Sequence, residues 1–359
     1  MDGGANAKDS KEPRGQSTVA KVLDDWYPLA ESRELDAGPY ATTLYGTPLV
    51  LFRGEDGRCG ALLDRCAHRN VPLSRGKVRL STIECFYHGW QFAPDGACKK
   101  VPCLVGEAET RGRRVPAYAC REHDGFVWVY ATPDVEPERE PYRFRFRSDP
   151  RYTSVSQVVE AEGTLHATAE NALDVPHTAF LHGGLFRKEG AGNDIEVVVE
   201  RQHDRVEAEY IGEPRPTGIA GRILAPQGGT VTHFDRFILP SIVEVEYRLG
   251  ERTHFVSAAA LTPLDDFRTR LFAVISFRLP VPGRPLVPIL KPLAFRIFRQ
   301  DAVALRAQTE NIRRFGEERY MSTEVDILGN HILRLLRNAE RKDRRPLDEP
   351  VTKRITMRV

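Results

Sequence analysis

Between Trp26 and Tyr130 the chain alternates short apolar runs with turn signals. "TPLVLFRGEDGRCGALLD" reads as strand, Gly/Asp turn, strand, and "WQFAPDGACKKVP" repeats the unit around Pro-Asp-Gly. "DGFVWVYA" is a β-branched and aromatic strand. These patterns predict a small all-β unit that carries a Cys/His-rich segment on its loops.

The pattern changes beyond "TPDVEPEREPYRFRFRSDP", a Pro- and charge-rich stretch that reads as a linker or edge strand and places a boundary at about residue 140. "LHATAENALDVPHTAFLH" has helical apolar spacing with a break near Pro176. Alternating stretches follow, in "DIEVVVERQHDRVEAEYIG", "SIVEVEYRLG", "RTHFVSAAALTPL" and "TRLFAVISFRLP", and predict an antiparallel sheet with one covered face. From Pro292 the chain turns helical again, and the last 15 or so residues are charged and extended. The fold class expected is α+β: a tail over 1–20, an all-β domain over 21–140, a larger second domain over 141–340, and a charged tail over 341–359. No internal repeat is visible.

Composition narrows the function classes. The chain has 359 residues with 52 basic and 50 acidic side chains, and a balance of +2 does not suit a nucleic-acid binder. The first 20 residues are polar and lack the apolar core of a signal peptide, so they are expected to be disordered and the protein cytoplasmic. No 18-residue apolar run exists. The nearest approach, Leu279 to Phe295, is broken by Pro, Arg and Lys. It is expected to be a Pro-rich loop over a pocket, with contact to a membrane surface as the competing reading. All six Cys lie between Cys59 and Cys120; Cys59, Cys98, Cys103 and Cys120 are expected to be reduced thiols.

The remaining two belong to "CAHRNVPLSRGKVRLSTIECFYHGW": Cys66-x-His68, 16 residues, then Cys85-x-x-His88. Thiolate and imidazole admit zinc or iron–sulfur. A structural zinc finger keeps like ligands together on each arm, whereas here each arm carries one Cys and one His. That mixture suits a two-iron cluster with two Cys on one iron and two His on the other. Gly89 lets the second arm turn tightly. "CAHRNVPLSRG" and "CFYHGW" resemble the Rieske [2Fe–2S] consensus, and the chain resembles the Rieske non-haem iron oxygenases. The resemblance implies a cluster held by Cys66, Cys85, His68 and His88, acting as an electron relay.

A second stretch extends the resemblance. "ENALDVPHTAFLH" offers Asn171, Asp174, His177 and His182. Five residues apart, the two His do not share a face of a regular helix, but Pro176 permits a break that reorients them. The stretch resembles the family's Asn-x-x-Asp-x-x-His-x4-His motif. That implies His177 and His182 as ligands of a mononuclear Fe(II), Asp174 as the bridge for electrons arriving from a neighbouring subunit's cluster, and Asn171 near the iron. A facial triad needs one more carboxylate. On a helical projection of residues 294 to 315, Asp301 falls inside the stripe of Ala294, Ile297, Phe298, Ala304, Leu305, Ile312 and Phe315, opposite Arg299, Arg306, Glu310, Arg313 and Arg314. A carboxylate buried there is costly unless a metal or a cation such as Lys291 pairs with it, and the family places its third ligand at this point. Gln308 shares the stripe.

The resemblance spans roughly residues 20 to 335. It implies a Rieske β-domain ahead of a helix-grip (START-like) domain, a ferredoxin or flavin reductase as electron donor, O2 as co-substrate, and a head-to-tail homotrimer. The short single-subunit demethylases and monooxygenases look most similar, and "HTAFLHGGLFR" with "DILGNHILRLLR" leans towards a bulky hydrophobic substrate such as a steroid or another polycycle. The alternative is a Rieske electron-transfer or redox-sensing protein whose second domain binds a ligand. His203, His233, His254 and His331 are expected to be structural or at the surface, His166 is a candidate neighbour of the iron, and Trp26, Trp90 and Trp128 are expected in the core. Arg69 and Lys77 flank the cluster loops and face solvent or an acidic ferredoxin.

Overall fold

The computed structural model describes residues 17–106, 112–182, 193–214, 231–343, 345 and 349–358. The first domain is built from three small antiparallel sheets. β1 (Trp26–Glu31), β10 (Cys120–His123) and β11 (Phe126–Tyr130) form one; β2 (Tyr40–Leu44), β3 (Thr47–Arg53), β4 (Cys59–Leu63) and β9 (Ala117–Tyr118) the second; β5 (Lys77–Arg79), β6 (Thr82–Glu84), β7 (Gln91–Phe92) and β8 (Cys98–Lys100) the third. The second domain is an eight-stranded sheet in the order β12-β18-β17-β16-β15-β14-β13-β19, from β12 (Thr153–Ala161), β13 (Asp194–Arg201), β14 (Arg205–Ile211), β15 (Val231–Ile238), β16 (Ile242–Leu249), β17 (Thr253–Asp265), β18 (Arg268–Arg278) and β19 (Val351–Arg358). All its pairings are antiparallel.

Among the described residues four α-helices lie with this sheet: α1 (Leu165–Leu173), α2 (His177–Leu181), α3 (Val287–Phe315) and α4 (Gly329–Glu340). Leu165, Ala169, Leu305, Ile332 and Leu336 pack onto inward positions of the strands, such as Val197, Ala208 and Leu271. This is the helix-grip arrangement. The α1–α2 break follows from Pro176, which has no N–H to donate and disfavours helix at Val175. α3 starts five residues before Pro292, because Pro288 sits in the first turn, where a missing N–H costs nothing. The Leu279–Phe295 stretch is therefore largely helical, not a loop.

Both expected tails need correction where they are described. Residues 1–16 lie outside the described residues, but Thr18 and Ala20 are buried; the Thr18 hydroxyl meets that of Thr164 at 2.8 Å. Ala20 and Val22 join the second domain's apolar cluster, while Lys21 between them is exposed and pairs with Asp266. The final strand, β19, pairs along the whole of β13, with Arg354 on Glu196 at 2.6 Å and Arg358 on Asp194 at 2.7 Å. Its charged side chains complement an acidic edge that would otherwise be left unpaired.

The Pro-rich stretch after β11 contains no strand and pins the domains together. Trp26, Phe126, Trp128 and Phe144 share one apolar cluster with Ile242, Ala260, Phe272 and Val274 of the large sheet. Beside it, Arg145 reaches Glu246 at 3.0 Å, and Glu246 also accepts from Arg236 and His254. His254 is thus structural, as expected, and so is His166, whose Nε2 lies 2.8 Å from the Gly329 carbonyl oxygen. Cys59, Cys98, Cys103 and Cys120 are free thiols.

Candidate metal centres

The first centre is made by two matching knuckles. Cys66 follows β4 and Cys85 follows β6. In each arm the N–H four residues on, from Asn70 or Gly89, donates to the Cys carbonyl at 3.0 Å. Both of those residues have positive φ, 61° for Asn70 and 70° for Gly89, which reverses the chain after the His. The arms touch at Gly76, where a Cβ would lie 2.1 Å from the Glu84 carbonyl oxygen.

The two Cys are buried, at 1% and 2% exposure, and the two His lie further out, with His88 exposed. The imidazole rings of His68 and His88 are 4.6 Å apart. Burial pushes the Cys66 thiol up to about 11, and the buried Nδ1 of His68 has no hydrogen-bond partner. Two buried thiols and an orphaned imidazole nitrogen are poor neighbours for one another and a good donor set for a two-iron cluster. Trp90 is not buried core as expected: it stacks on His68 with centroids 4.7 Å apart and planes 4° apart. Trp26 and Trp128 are in the core. Lys77 pairs with Glu84 at 3.0 Å, and Arg69 is exposed. Phe86 and Tyr87, next to His88 in the chain, are exposed, and the Tyr87 ring lies 3.9 Å from the His88 ring.

The second centre joins both ends of the α1–α2 break to the middle of α3. His177 opens α2 and His182 caps its end, so the five-residue spacing spans one short helix and its turn. Nε2 of His177 and Nε2 of His182 are 3.3 Å apart, and Oδ1 of Asp301 lies 3.5 Å from the first and 3.0 Å from the second. Yet Asp301 Oδ1 is buried without a hydrogen-bond partner. The three atoms converge on a shared point rather than pairing with each other, as a 2-His-1-carboxylate metal site requires. Among the described residues this is the one such group of three. Burial raises the Asp301 carboxyl, but the two imidazoles outweigh it and hold the group below its usual range. Burial lowers His177, but Asp174 and Asp301 outweigh it and carry the imidazole up to about 9.

Around these three, Nδ1 of His177 faces Asp174 Oδ2 at 3.3 Å, and Nδ1 of His182 lies 3.1 Å from Gln300 Oε1. The sequence projection pointed to Gln308, which is exposed and lines a neighbouring pocket with Asn171 and Asp174; the residue that meets His182 is Gln300, next to Asp301 in the chain. Phe315, placed in the same stripe, is the last residue of α3 and is exposed. Lys291 does not pair with Asp301.

The three residues open into a cavity of about 250 Å³, with Asn171 and Asp174 also in its wall. Most of the lining is apolar, from Val155, Val159, Leu271, Ile275, Phe255 and Phe298. Leu290 and Leu293 of the Pro-containing start of α3 complete one side. Glu213, His233 and Asp235 also line it, and the sequence reading did not connect them with the site.

Residues 25–119 match the Rieske [2Fe-2S] domain model, and residues 162–342 match the Vanillate O-demethylase oxygenase C-terminal domain model. The chain is 29% identical over 265 residues to the 3-chlorobenzoate-3,4-dioxygenase oxygenase subunit of Comamonas testosteroni, covering 72% of this chain and 60% of that protein. It is 33% identical over 166 residues to methylxanthine N1-demethylase NdmA of Pseudomonas putida, covering 44% of this chain and 47% of that one. These matches thus span less than two thirds of each relative. Dicamba monooxygenase bound to dicamba superposes with a TM-score of 0.76 at 22% identity, over 90% of this chain and 99% of that chain, a likeness of fold.

Proposed function

This chain belongs to the Rieske oxygenase alpha subunits, with a Rieske [2Fe-2S] domain ahead of a vanillate O-demethylase-type catalytic domain, and from that premise we propose that it is a terminal oxygenase. It would use O2 and reductase-supplied electrons to hydroxylate or oxidatively demethylate a hydrophobic aromatic or polycyclic molecule. The observation that carries this reading is the convergence of His177, His182 and Asp301 on one point in the wall of an apolar cavity. A redox carrier with a ligand-binding second domain has no use for that convergence.

In this reading Cys66 and Cys85 would hold one iron of the cluster, His68 and His88 the other, and His177, His182 and Asp301 would hold mononuclear Fe(II). Together these groups supply electron relay and dioxygen activation. The protein does the rest. Asp174 lies 3.3 Å from His177 Nδ1 and Gln300 lies 3.1 Å from His182 Nδ1, contacts that would leave each Nε2 free to face a metal. The aliphatic walls hold the substrate and exclude water. Asn171 lines the same wall.

The exposed His88 edge, with Phe86 and Tyr87 exposed beside it, favours docking against another copy in a head-to-tail homotrimer, where Asp174 would bridge one subunit's cluster and the mononuclear site of the next; the donor to the cluster would be a ferredoxin or flavin reductase. A monomer by light scattering with full coupled turnover contradicts the trimer. The activity is tested by reducing the iron-loaded protein photochemically and admitting O2 with a panel of methoxylated aromatics, polycycles and steroids. Hydroxylated or demethylated product is expected from at least one. Neither product nor substrate-dependent O2 uptake across the panel would reject the reading.

A further inference from the structure

Four of the six cysteines lie outside the metal-binding arms, and two of them meet. Cys59 opens β4 and Cys120 opens β10, strands of two different sheets of the first domain. Both are half-buried free thiols packed against one apolar cluster, with Leu51, Ala61 and Val129. The Cys120 thiol donates to Cys59 Sγ, and the two sulfurs are 2.7 Å apart.

Arg53 fixes the frame around this pair. It stands opposite Cys59 in the β3–β4 register. Its guanidinium reaches Glu122 of β10 at 2.7 Å and the Ser32 carbonyl oxygen at 2.9 Å. The strands that carry the sulfurs are thus held side by side, the condition for a bond between them. The hydrogen bond from Cys120 lowers the Cys59 thiol against burial and Glu122, and Arg53 works in the same direction. Burial holds Cys120 well above the usual thiol range. The pair is therefore asymmetric, with Cys59 the readier thiolate and Cys120 the thiol beside it.

We propose that Cys59 and Cys120 are a reversible dithiol/disulfide site, oxidised by exchange with a small-molecule disulfide such as oxidised glutathione, and that the bond staples the sheet leading into Cys66 to the sheet that meets the second domain. The site goes beyond the oxygenase reading and does not rest on it. The Cys59 thiolate attacks one sulfur of oxidised glutathione and releases one glutathione thiolate, which leaves a mixed disulfide on Cys59. The Cys120 thiolate then attacks the Cys59 sulfur, and the second glutathione leaves. Two protein thiols become one disulfide, one glutathione disulfide becomes two thiols, and the two protons pass to those thiols. The ring closed between residues 59 and 120 contains Cys66, His68, Cys85 and His88. Closing it removes freedom from the unfolded chain around both arms.

The test uses the full-length, cluster-loaded protein, equilibrated with excess oxidised glutathione, denatured in a thiol-blocking alkylator and mapped by mass spectrometry. A peptide pair joined through Cys59 and Cys120 is expected, and dithiothreitol is expected to release it. Full alkylation of both cysteines overturns the proposal. So does Cys59 recovered as its glutathione adduct, or joined to a cysteine other than Cys120. Stapling is read from tryptophan fluorescence, because Trp26, Trp90 and Trp128 are the only tryptophans and all precede residue 140. The thermal midpoint is expected to rise by about 5 °C on oxidation and to return with dithiothreitol. It is expected to stay in place in Cys120→Ser treated the same way. A joined pair with no rise in the wild type overturns the staple, and an equal rise in Cys120→Ser overturns its assignment to this pair. The wild-type map decides the pairing whether or not the variant folds.

Discussion

At the scale of single residues, the donor set was legible where chemistry is written into short spacing. Cys66, His68, Cys85 and His88 stand in two compact arms, and His177 and His182 flank a proline whose effect on a helix is predictable. Asp301 was reachable because a carboxylate in an apolar stripe needs a partner. Gln300 was not: a helical projection ranks residues by face, and it favoured Gln308, although the residue beside Asp301 turns its amide to His182. Replacing Gln300 with Leu removes the acceptor at His182 Nδ1, and the affinity for iron at the second centre is expected to fall about 10–100-fold in a chelator competition, with the cluster spectrum intact. The Glu213–His233–Asp235 contact was equally hidden, since only the β14–β15 register brings residue 213 to 233. His233 also makes a pH prediction. Its folded pKa is raised above the unfolded value, so its stabilisation is complete below about 6.5 and is lost as pH rises through about 9. Melting temperature is expected to drop from pH 7 to 9.5 in the wild type and to drop less in His233→Gln; parallel curves for the two contradict it.

At the scale of elements, strands with clean alternation were read from sequence, and β13, β14, β16, β17 and β18 are present. The stretch that became β15 was not among them. Its inward positions are His233, Asp235 and Phe237 and its outward ones include Phe234, so polar side chains occupy places where a hydrophobic period is expected. The final strand was read as a tail because nothing in its own charge pattern names the β13 edge it covers. The cluster knuckles depend on a close approach of backbones at Gly76. A Cβ there meets the Glu84 carbonyl, a backbone atom that cannot swing away, so Gly76→Ala is expected to part the two arms. The purified variant should lose most of its cluster absorbance while His177, His182 and Asp301 still take up Fe(II); a full cluster spectrum contradicts the role given to Gly76.

At the scale of the whole molecule, the two domains share one apolar cluster, and this explains why the boundary expected near residue 140 falls in a segment that is pinned rather than free. Phe272 of the large sheet meets Phe126 of the first domain edge-on, with centroids 5.5 Å apart. Phe272→Ala is expected to cost about 3–5 kcal/mol, and to lower the cluster-bleaching and tryptophan-fluorescence midpoints together in a denaturant titration. Separate midpoints would show two independent folding units. Among the described residues no helix is long and apolar enough to cross a membrane. The central claim is that one chain carries two distinct iron centres. Iron and acid-labile sulfide per chain, read with the electron-spin signature of the cluster, test it most directly on the wild type and His177→Ala. The account predicts three irons and two sulfides for the wild type, and two irons and two sulfides with an unchanged cluster signature for the variant. Two irons in both proteins would contradict it.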